Sequence, residues 1–316
     1  MTAPSGLVVD AVISAFEPGD DLAGRIDSLL PQVRRVVVVD DGSPGPWPTN
    51  LPEAVVVIRL AENSGIAVAL NRGVAACLED GAEAVLTLDQ DSDLPAGGVA
   101  QLVATLAEAG EGTAFSAPEF FAGVSQVHRT DGRGRRITRH TIQSGMLVPA
   151  ATWERVGLLR EDLFIDLVDT EFEMRCASAG LHGVAAAGLR LGHRLGTQQR
   201  RHGWLGRLGI VGISHLTLST PFRYYYRVRN RVVVNRERMS GTFAWRLRDT
   251  LIEAIHFVNV LSIARPRRAM WRIMTAAVSD GRAGRTGRMP AQLAPVAREV
   301  RWAADVIASP DDEDQA

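Results

Sequence analysis

The sequence predicts an α/β fold in which helices flank a mostly parallel sheet, followed by a helical, arginine-rich C-terminal extension. In the first half of the chain, short β-branched apolar runs alternate with segments of helical spacing, which is typical of parallel sheets. Two of these runs end in acidic clusters, at the strand ends where such sheets bind their ligands. The charge is also divided. Residues 1–189 hold 13 arginines and 26 acidic residues, whereas residues 190–288 hold 20 and 4, which indicates an anionic partner for the basic part.

The first half predicts five strands and three helices in alternation. The strands span residues 7–15, 35–39, 55–60, 84–88 and 112–117, and the helices span residues 20–30, 65–78 and 97–109. Pro31 ends the first helix, and the second strand, RVVVV, is apolar throughout, as expected when both faces of a strand are buried. Residues 119–140 are rich in Gly and Arg and predict a mobile loop or an irregular hairpin. A fourth helix is expected over residues 169–180.

We expect three regions: a site-bearing α/β domain over residues 1–203, a basic amphipathic helical region over 204–308, and a disordered acidic tail over 309–316. Pro266 and Gly281 are expected to break the helices of the second region. The N-terminus has neither a basic run nor a long apolar core, so no signal peptide is expected. The two cysteines lie in predicted helices, which suits a reducing cytoplasm, and no apolar stretch reaches the length of a membrane span.

Two carboxylates, Asp89 and Asp91, follow the fourth predicted strand. Placed one residue apart at a strand end, they can point at a shared ion, and their oxygens suit Mg²⁺ or Mn²⁺ accompanied by substrate phosphates. The alternative is a turn that caps the next helix, with Ser92 and Asp93 as the capping residues. The string Asp-x-Asp is short and common, so it does not decide between the two by itself.

Polar residues also follow the second and third predicted strands. Asp40 and Asp41 could accept hydrogen bonds from a base N–H or a ribose hydroxyl, or could form a plain turn with the glycine that follows. Asn63 or Ser64 could cap the second helix, whose N-terminus could then face a phosphate. Small residues such as Gly65 would let the backbone approach a ligand. The alternative is a capped helix packed tightly on the sheet.

Acidic residues open the fourth predicted helix, where the helix dipole favours them. Asp169, held there near an acceptor hydroxyl, could act as a general base. The alternative is that Asp169 is only a helix cap and that Glu171 and Glu173 lie in solvent. Further on, His193 follows a glycine, which permits close approach, so it could be a metal ligand or a structural histidine.

Taken in order, these motifs resemble the family 2 glycosyltransferases of the GT-A class, which have a Rossmann-like fold. The resemblance runs from about residue 8 to residue 196. Within the family, the strings NSGIAVALNRG, LTLDQDSD, QSGMLV and LFIDLVDTEFEMR are similar to bacterial rhamnosyltransferases that use dTDP-rhamnose. Galactofuranosyltransferases that use UDP-galactofuranose share much of the layout and remain an alternative.

The resemblance implies roles for individual residues. It makes Asp169 the catalytic base and makes Asp89, Asp91 and His193 the ligands of Mn²⁺ or Mg²⁺. Nucleotide-sugar binding is implied for Phe16, Asp40, Asp41, Asn63, Gly65, Asn71, Asp89 and Gln90, and an acceptor-binding or structural role for Asp166, Glu171, Arg175, Arg223 and Arg229. Two positions depart from the family pattern, since Glu17 replaces an Asn and Val168 stands where many members have Glu.

The implied activity is inverting transfer of a sugar, L-rhamnose from dTDP-rhamnose, onto a glycan or polyprenyl-diphosphate-linked acceptor in cell-envelope polysaccharide synthesis. A nucleotidyltransferase would need an early basic glycine-rich loop, and a dinucleotide-dependent oxidoreductase a Gly-x-Gly-x-x-Gly turn, and neither is present. A non-catalytic nucleotide-sugar-binding protein is an alternative of another class. The presence of every residue of the implied catalytic and metal-binding set argues against this alternative: Asp89, Asp91, Asp169 and His193.

The basic region predicts peripheral contact with the inner face of the cell membrane. Leu251, Ile255 and Val258 have helical spacing and are followed by several arginines and by Trp271, a combination suited to anionic lipid. An oligomer interface or a solvated face are the alternatives. No nucleic-acid partner is expected, because no segment resembles a known nucleic-acid-binding module.

Overall fold

A computed structural model describes residues 6–45, 47, 51–52, 54–193, 198–201, 215–237 and 243–306. The chain divides into two compact units, Met1–Arg194 and Leu195–Ala316. The domain boundary predicted at residue 203 and the predicted acidic tail, 309–316, lie outside the described residues.

The first unit contains the predicted strands and helices together with shorter elements. Its strands are β1 (Val9–Ala15), β2 (Arg35–Asp40), β3 (Val55–Arg59), β4 (Ala84–Asp89), β5 (Ser92–Asp93), β6 (Thr113–Phe121), β7 (Val124–Ser125), β8 (Val127–Thr130), β9 (Arg136–Thr138), β10 (Met146–Pro149) and β11 (His182–His193). Its helices are α1 (Leu22–Leu29), α2 (Ile66–Glu79), α3 (Gly98–Ala109), α4 (Ala150–Val156) and α5 (Val168–Ser178), with 3₁₀ turns at Leu30–Gln32 and Glu161–Leu163. The five predicted strands and four predicted helices of this unit are confirmed. Of the two alternatives for residues 119–140, the structure has the hairpin, because β8 and β9 pair antiparallel.

The main sheet has the order β3-β2-β1-β4-β10-β6-β11-β9-β8. Strands β1 to β4 are parallel, but β10 runs antiparallel to both β4 and β6, so the sheet is mixed. The sequence did not predict β10 or β11. Strand β10 has only four residues, and β11 is rich in Ala and Gly rather than in the β-branched residues that mark a strand.

Alternate residues of the central strands face two helical layers, as the two-residue period of a strand requires. Ala11 and Ile13 belong to one buried cluster with residues of α1 and α3. On the opposite face, α2 comes so close that a Cβ on Gly73 would lie 2.3 Å from Val12 Cγ1. The sheet is therefore buried on both faces, and its ligand-binding surface is left at the strand ends.

The strand register brings the acidic clusters to one edge of the sheet. Ser14 of β1 lies beside Asp89 of β4, and Ala15 lies beside Asp40 of β2. At the same edge, the short strand β5 pairs antiparallel with the end of β11, with Ser92 opposite His193. A residue 101 positions away in sequence from Ser92 is thereby fixed next to the Asp89–Asp91 motif.

The second unit is mainly helical, as predicted. It contains α6 (Pro221–Arg236), α7 (Phe243–Ile263), α8 (Arg267–Ala283) and α9 (Leu293–Glu299), with the short strands β12 (Gln198–Arg201), β13 (His215–Thr217), β14 (Ala264–Arg265), β15 (Arg301–Trp302) and β16 (Ala304–Val306). The predicted break at Gly281 is wrong, because this glycine lies inside α8 where α6 packs closest. A Cβ there would lie 2.9 Å from Arg229 O. Within the described residues, no helix is both long and apolar enough to cross a membrane.

Candidate active site

Asp89, Asp91 and His193 form a compact cluster at the edge of the sheet. One carboxylate oxygen from each aspartate and one imidazole nitrogen all lie within 4.8 Å of one another. His193 Nδ1 is 3.2 Å from Asp91 Oδ1 and 3.1 Å from Ser92 Oγ. The ring of His193 also packs on Phe121, with 4.6 Å between the ring centroids, which limits its orientation. The three predicted metal ligands are therefore brought together by the fold.

The two aspartates of the cluster differ in their acidity. Burial raises the pKa of Asp89 to about 6, and the charges of Asp91 and Asp169 add to this, against the opposing effects of His193 and Gln143. Burial also acts on Asp91, but the hydrogen bond and charge of His193 outweigh it, so the pKa of Asp91 is lowered. Negative charge is thus concentrated where solvent screens it poorly. A bound cation would offset the repulsion between these carboxylates.

The donor set fits a hard divalent cation. Two carboxylate oxygens and one imidazole nitrogen are acceptable ligands for Mn²⁺, and Mg²⁺ also binds through one or two carboxylates plus substrate phosphates. The cluster is partly open to solvent rather than sealed, which leaves room for oxygens from a ligand. These residues are therefore the ones that would hold Mn²⁺ or Mg²⁺.

Asp169 lies in the first turn of α5 and is half-buried. Burial raises its pKa to about 6, and the nearby charge of Asp166 adds to this, while hydrogen bonds from Thr170 and from the backbone of Gln143 act in the opposite direction. Thr170 N–H donates to Asp169 Oδ1 at 2.7 Å. A carboxylate with a pKa close to neutrality can exchange a proton with a bound hydroxyl, which suits the predicted general base.

The chain that leads into α5 has an unusual backbone. Phe164, Asp166 and Leu167 all have positive φ, at 67°, 64° and 63°. Side chains other than glycine rarely adopt this conformation, and when they do it often marks a functional site. The candidate acceptor residue Asp166 therefore lies on a strained turn just before Asp169.

Glu171 and Arg175 fix α5 to the preceding loop. Arg175 Nε donates to Glu171 at 2.9 Å, and the same guanidinium donates to the carbonyls of Val156 at 2.7 Å and Leu158 at 2.8 Å. Glu171 is buried and Glu173 accepts from His140 N–H at 2.6 Å, so the alternative that placed both glutamates in solvent is wrong. Of the two roles left open for this pair, the contacts favour the structural one.

Asp41 binds the backbone immediately before α2. Its two carboxylate oxygens accept from Ser64 N–H at 2.6 Å and from Gly65 N–H at 2.9 Å. The prediction that Asn63 or Ser64 caps this helix is wrong, because Gly65 is the N-cap residue and Ser64 Oγ donates to Glu62 O instead. The role of Asp41 in base binding stays a prediction.

The first N–H group of α2 is bonded within the protein. Ile66 N–H donates to Phe164 O at 3.0 Å, next to the Ser64 and Gly65 N–H groups that bond to Asp41. These three N–H groups are thus not directed at a phosphate, and the expectation that the rest of the helix N-terminus faces one stays a prediction. Gly65, with φ of 99°, is required by this approach, because a Cβ would lie 2.5 Å from Phe164 O.

Asp40 connects the ends of three strands. It is fully buried, with Oδ1 accepting from Ser43 N–H at 3.0 Å and Oδ2 paired with Arg59 Nε at 2.8 Å. Ser43 Oγ in turn accepts from Glu17 N–H at 2.8 Å, so the exit of β1 is held against this loop. These contacts hold Asp40 in the loop next to Asp41, and its role in nucleotide-sugar binding stays a prediction.

Gln90 links the cluster to the exit of β1. Its Oε1 accepts from Phe16 N–H at 2.7 Å, and its Nε2 donates to Phe16 O at 3.2 Å. The amide of Gln90 is therefore satisfied by backbone, while the ring of Phe16 is 38% exposed beside it. An exposed aromatic ring fixed through its own backbone offers a flat surface for a nucleobase, and this role stays a prediction.

Asn71 lies on α2 but binds the chain that precedes α5. Its Oδ1 accepts from Leu159 N–H at 2.9 Å, and its Nδ2 donates to Leu159 O at 2.8 Å and to Glu161 at 3.0 Å. Asn71 is buried, so these contacts hold the loop rather than present the amide to a ligand. Asn63 differs, because its buried Oδ1 accepts no hydrogen bond from the described residues.

Arg223 and Arg229 belong to the second unit. Arg229 is fully buried, donates to Asn230 Oδ1 at 2.7 Å and to Gly287 O at 2.6 Å, and lies over the rings of Tyr225 and Tyr226. This is a structural arginine. The half-buried Arg223 donates its backbone N–H to Thr220 at the start of α6, and its side-chain role stays a prediction.

Sequence reasoning missed Arg25, Gln143 and Ser144. Arg25 Nε donates to Asp93 at 2.8 Å, and its charge helps to lower the pKa of Asp91. Nothing in the sequence marks Arg25, because a polar residue in an amphipathic helix is ordinary. Gln143 and Ser144 occur in the string QSGMLV, which carried the family resemblance but suggested no role for either.

Comparison with known proteins indicates the family of the first unit. Residues 10–165 match the model of the family described as glycosyl transferase family 2. The chain carries a family 2 glycosyltransferase domain. The chain is also similar to dTDP-rhamnosyl transferase RfbF of Shigella flexneri, to which it is 29% identical, over 88% of this chain and 96% of that protein.

Solved structures similar to this glycosyltransferase include GalNAc-T7 with UDP, GalNAc and Mn²⁺, with a TM-score of 0.47, 18% identity and coverage of 72% of this chain and 48% of that one. Another is TarS of S. aureus, with a TM-score of 0.49, 13% identity and coverage of 92% and 50%. The chain spans about half the length of these two solved proteins.

Proposed function

We propose that the chain is an inverting, metal-dependent glycosyltransferase that transfers L-rhamnose from dTDP-rhamnose. The observation that carries the proposal is the convergence of Asp89, Asp91 and His193 into one cluster, with Asp169 close enough for its charge to raise the pKa of Asp89. A cation-binding group beside a candidate base is what displacement of a diphosphate leaving group by a hydroxyl requires.

The chemistry can be divided between the two groups. A divalent cation held by Asp89, Asp91 and His193 would neutralise the charge that develops on the leaving nucleoside diphosphate. Asp169 accepts the proton of the acceptor hydroxyl as its oxygen attacks the anomeric carbon of the sugar. One displacement on the face opposite the leaving group inverts the anomeric configuration, and the scheme needs no nucleophilic carboxylate.

The choice of donor is supported by the similarity to a dTDP-rhamnosyl transferase over most of both chains. The donor sugar would lie at the sheet edge, with the exposed ring of Phe16 beside the base and Asp89 beside the diphosphate.

We further propose that the acceptor is a glycan or a polyprenyl-diphosphate-linked glycan of the cell envelope, met at an anionic membrane surface on its cytoplasmic side. Leu251, Ile255 and Val258 lie along one side of α7 with exposed fractions of 59%, 56% and 66%. On α8, Trp271 and Arg272 are also exposed. Exposed apolar side chains with arginines nearby suit shallow insertion between anionic headgroups.

A donor screen tests the proposal most directly. The affinities of dTDP and UDP are measured by titration calorimetry with and without Mn²⁺ or Mg²⁺, and hydrolysis of dTDP-rhamnose and UDP-galactofuranose is followed in parallel. We expect dTDP to bind more tightly than UDP, with cation-dependent hydrolysis of dTDP-rhamnose. Preference for UDP would replace rhamnose by galactofuranose, full turnover in a chelator would exclude metal dependence, and binding without any turnover would indicate a non-catalytic binding protein.

A further inference from the structure

The segment at residues 143–145 is fixed between strands by buried hydrogen bonds. Thr87 Oγ1 donates to Gln143 O at 2.6 Å, and Gly145 N–H donates to Thr87 O at 2.7 Å. Gly145, with φ of 90°, is packed so closely that a Cβ would lie 2.9 Å from Pro118 Cγ. The positions of Gln143 and Ser144 are therefore determined by the rigid centre of the sheet.

From this position Gln143 bonds to one candidate carboxylate and acts on the other. Its Nε2 donates to Asp89 Oδ1 at 2.5 Å, and its backbone helps to lower the pKa of Asp169. Asp89 and Asp169 are 80 residues apart in sequence, and one buried residue influences both of them.

Ser144 continues the network towards His193. Its Oγ accepts from Asp89 N–H at 2.9 Å and lies 2.7 Å from Ser92 Oγ, which in turn lies 3.1 Å from His193 Nδ1. Ser144 is fully buried and Ser92 nearly so. The backbone of Asp89 and the ring of His193 are thus connected through two hydroxyl groups.

The side chain of Gln143 has a feature that stability alone does not explain. Within the part of the chain that the structure describes, no donor lies within hydrogen-bond distance of its Oε1, although the residue is only 5% exposed. A buried acceptor without a donor lowers the stability of the fold, so an apolar side chain of the same size would suit the site better. What the amide supplies in return is the Nε2 bond to Asp89.

The geometry points to Gln143 and Ser144 as positioning residues that hold Asp89 and His193 in one arrangement. The inference rests on the proposed function, since it takes Asp89 and His193 as cation ligands and Asp169 as the base. Groups that orient metal ligands by hydrogen bonding commonly change metal affinity or activity 10- to 100-fold when they are removed. Gln143 and Ser144 touch neither substrate nor cation in this scheme.

The test uses the factor by which Mn²⁺ tightens dTDP binding, measured by titration calorimetry on the full chain. Gln143→Met removes the amide at similar volume, and Ser144→Ala removes the hydroxyl. Ser116→Ala is the matched control, because Ser116 is also fully buried in the sheet, donates to Leu102 O at 2.9 Å and is not bonded to the cluster. A loss of general stability alone would not change this factor.

We expect the Mn²⁺-dependent gain in dTDP affinity, and kcat with it, to fall about tenfold in Ser144→Ala and at least as far in Gln143→Met, with no change in Ser116→Ala. If Gln143→Met does not fold, Ser144→Ala decides. A gain in Ser144→Ala equal to that of Ser116→Ala would overturn the inference while leaving the proposed function intact. If the wild-type chain shows neither the gain nor any transfer, it is the proposed function that fails.

Discussion

At the scale of single residues, four aspartates of the candidate site differ in their surroundings. Both oxygens of Asp41 accept from backbone N–H groups, and Asp40 pairs with Arg59. Asp89 and Asp169 are instead held in poorly solvated positions that raise the pKa of each to about 6. The sequence shows the aspartates, but the groups around each carboxylate decide which one binds backbone and which one can take a proton.

Asp169→Asn tests the base. We expect dTDP affinity within about threefold of wild type, because the amide still accepts from Thr170 N–H, but a loss of at least about 100-fold in transfer, because an amide cannot accept the proton. Calorimetry and a transfer assay measure the two quantities. Transfer at the wild-type rate would eliminate Asp169 as the base.

The raised pKa of Asp169 also predicts a dependence on pH. Since the base must be ionised, kcat/KM should fall as the pH drops below about 6. The same shift also lowers the stability of the folded state, because ionising Asp169 is less favourable in the folded than in the unfolded chain. This penalty is fully present above the folded pKa and disappears where the carboxyl is protonated in both states. We expect Asp169→Asn to be about 1 to 3 kcal/mol more stable than wild type at pH near 8, with the difference shrinking as the pH falls through about 6 and vanishing near 4.

Thermal unfolding of both proteins across this pH range measures the effect. Asp27→Asn, at an exposed position of α1, is the matched control and should not gain stability at high pH. A variant at position 169 that is less stable than wild type at high pH would contradict the assignment of a buried, charge-bearing carboxylate.

At the scale of elements, the site depends on close contacts between segments far apart in sequence. The start of α2 bonds to Phe164 O, and the loop before α5 is held by Asn71 and by Arg175. These contacts determine where the strained turn at Asp166 and Leu167 lies, and thereby where α5 begins. Local propensity marked both helices correctly but gave no information about which residues join them.

Gly65→Ala tests this junction. The substitution places a Cβ 2.5 Å from Phe164 O at a φ of 99°, so we expect a loss of at least about 2 kcal/mol in the free energy of unfolding, with lower transfer activity. Urea denaturation measures the first quantity. Gly24→Ala in α1 is the matched control, because no atom lies within 4 Å of its added Cβ and alanine favours a helix. Equal stability of the two variants would show that the approach at Gly65 is not tight.

At the scale of the whole molecule, acidic and basic residues are divided between two parts of the chain. The acidic part contains the cluster that fits a cation, and the basic part contains the exposed apolar side of α7. Under the proposed function, the acidic part would hold the cation of a nucleoside diphosphate sugar donor, and the basic part would face an acceptor presented at an anionic membrane.

Replacement of Leu251, Ile255 and Val258 by serine tests the membrane surface. We expect wild type to sediment with vesicles that contain anionic phospholipid, more weakly at high salt, and the triple variant to lose at least about tenfold in this affinity. Val124→Ser with Leu158→Ser removes exposed apolar side chains elsewhere and should bind as wild type does. Wild-type sedimentation by the triple variant, or none by wild type, would remove the membrane from the proposal. Concentration-dependent association lost only in the triple variant would indicate an oligomer interface instead.

The sequence by itself determined the α/β class, the alternation of the first strands and helices, the helical basic region, and the identity of Asp89, Asp91, Asp169 and His193 as candidates. Periodicity and turn chemistry are local, and they can be read from a few consecutive residues. Only the tertiary structure decided that β10 runs antiparallel, that Asp41 binds the backbone before α2, and that Gln143 and Ser144 connect the candidate metal ligands. Those outcomes depend on contacts between residues that are 23 to 101 positions apart in sequence. Buried polar atoms need hydrogen-bond partners, and the packing of the sheet determines which partners are within reach.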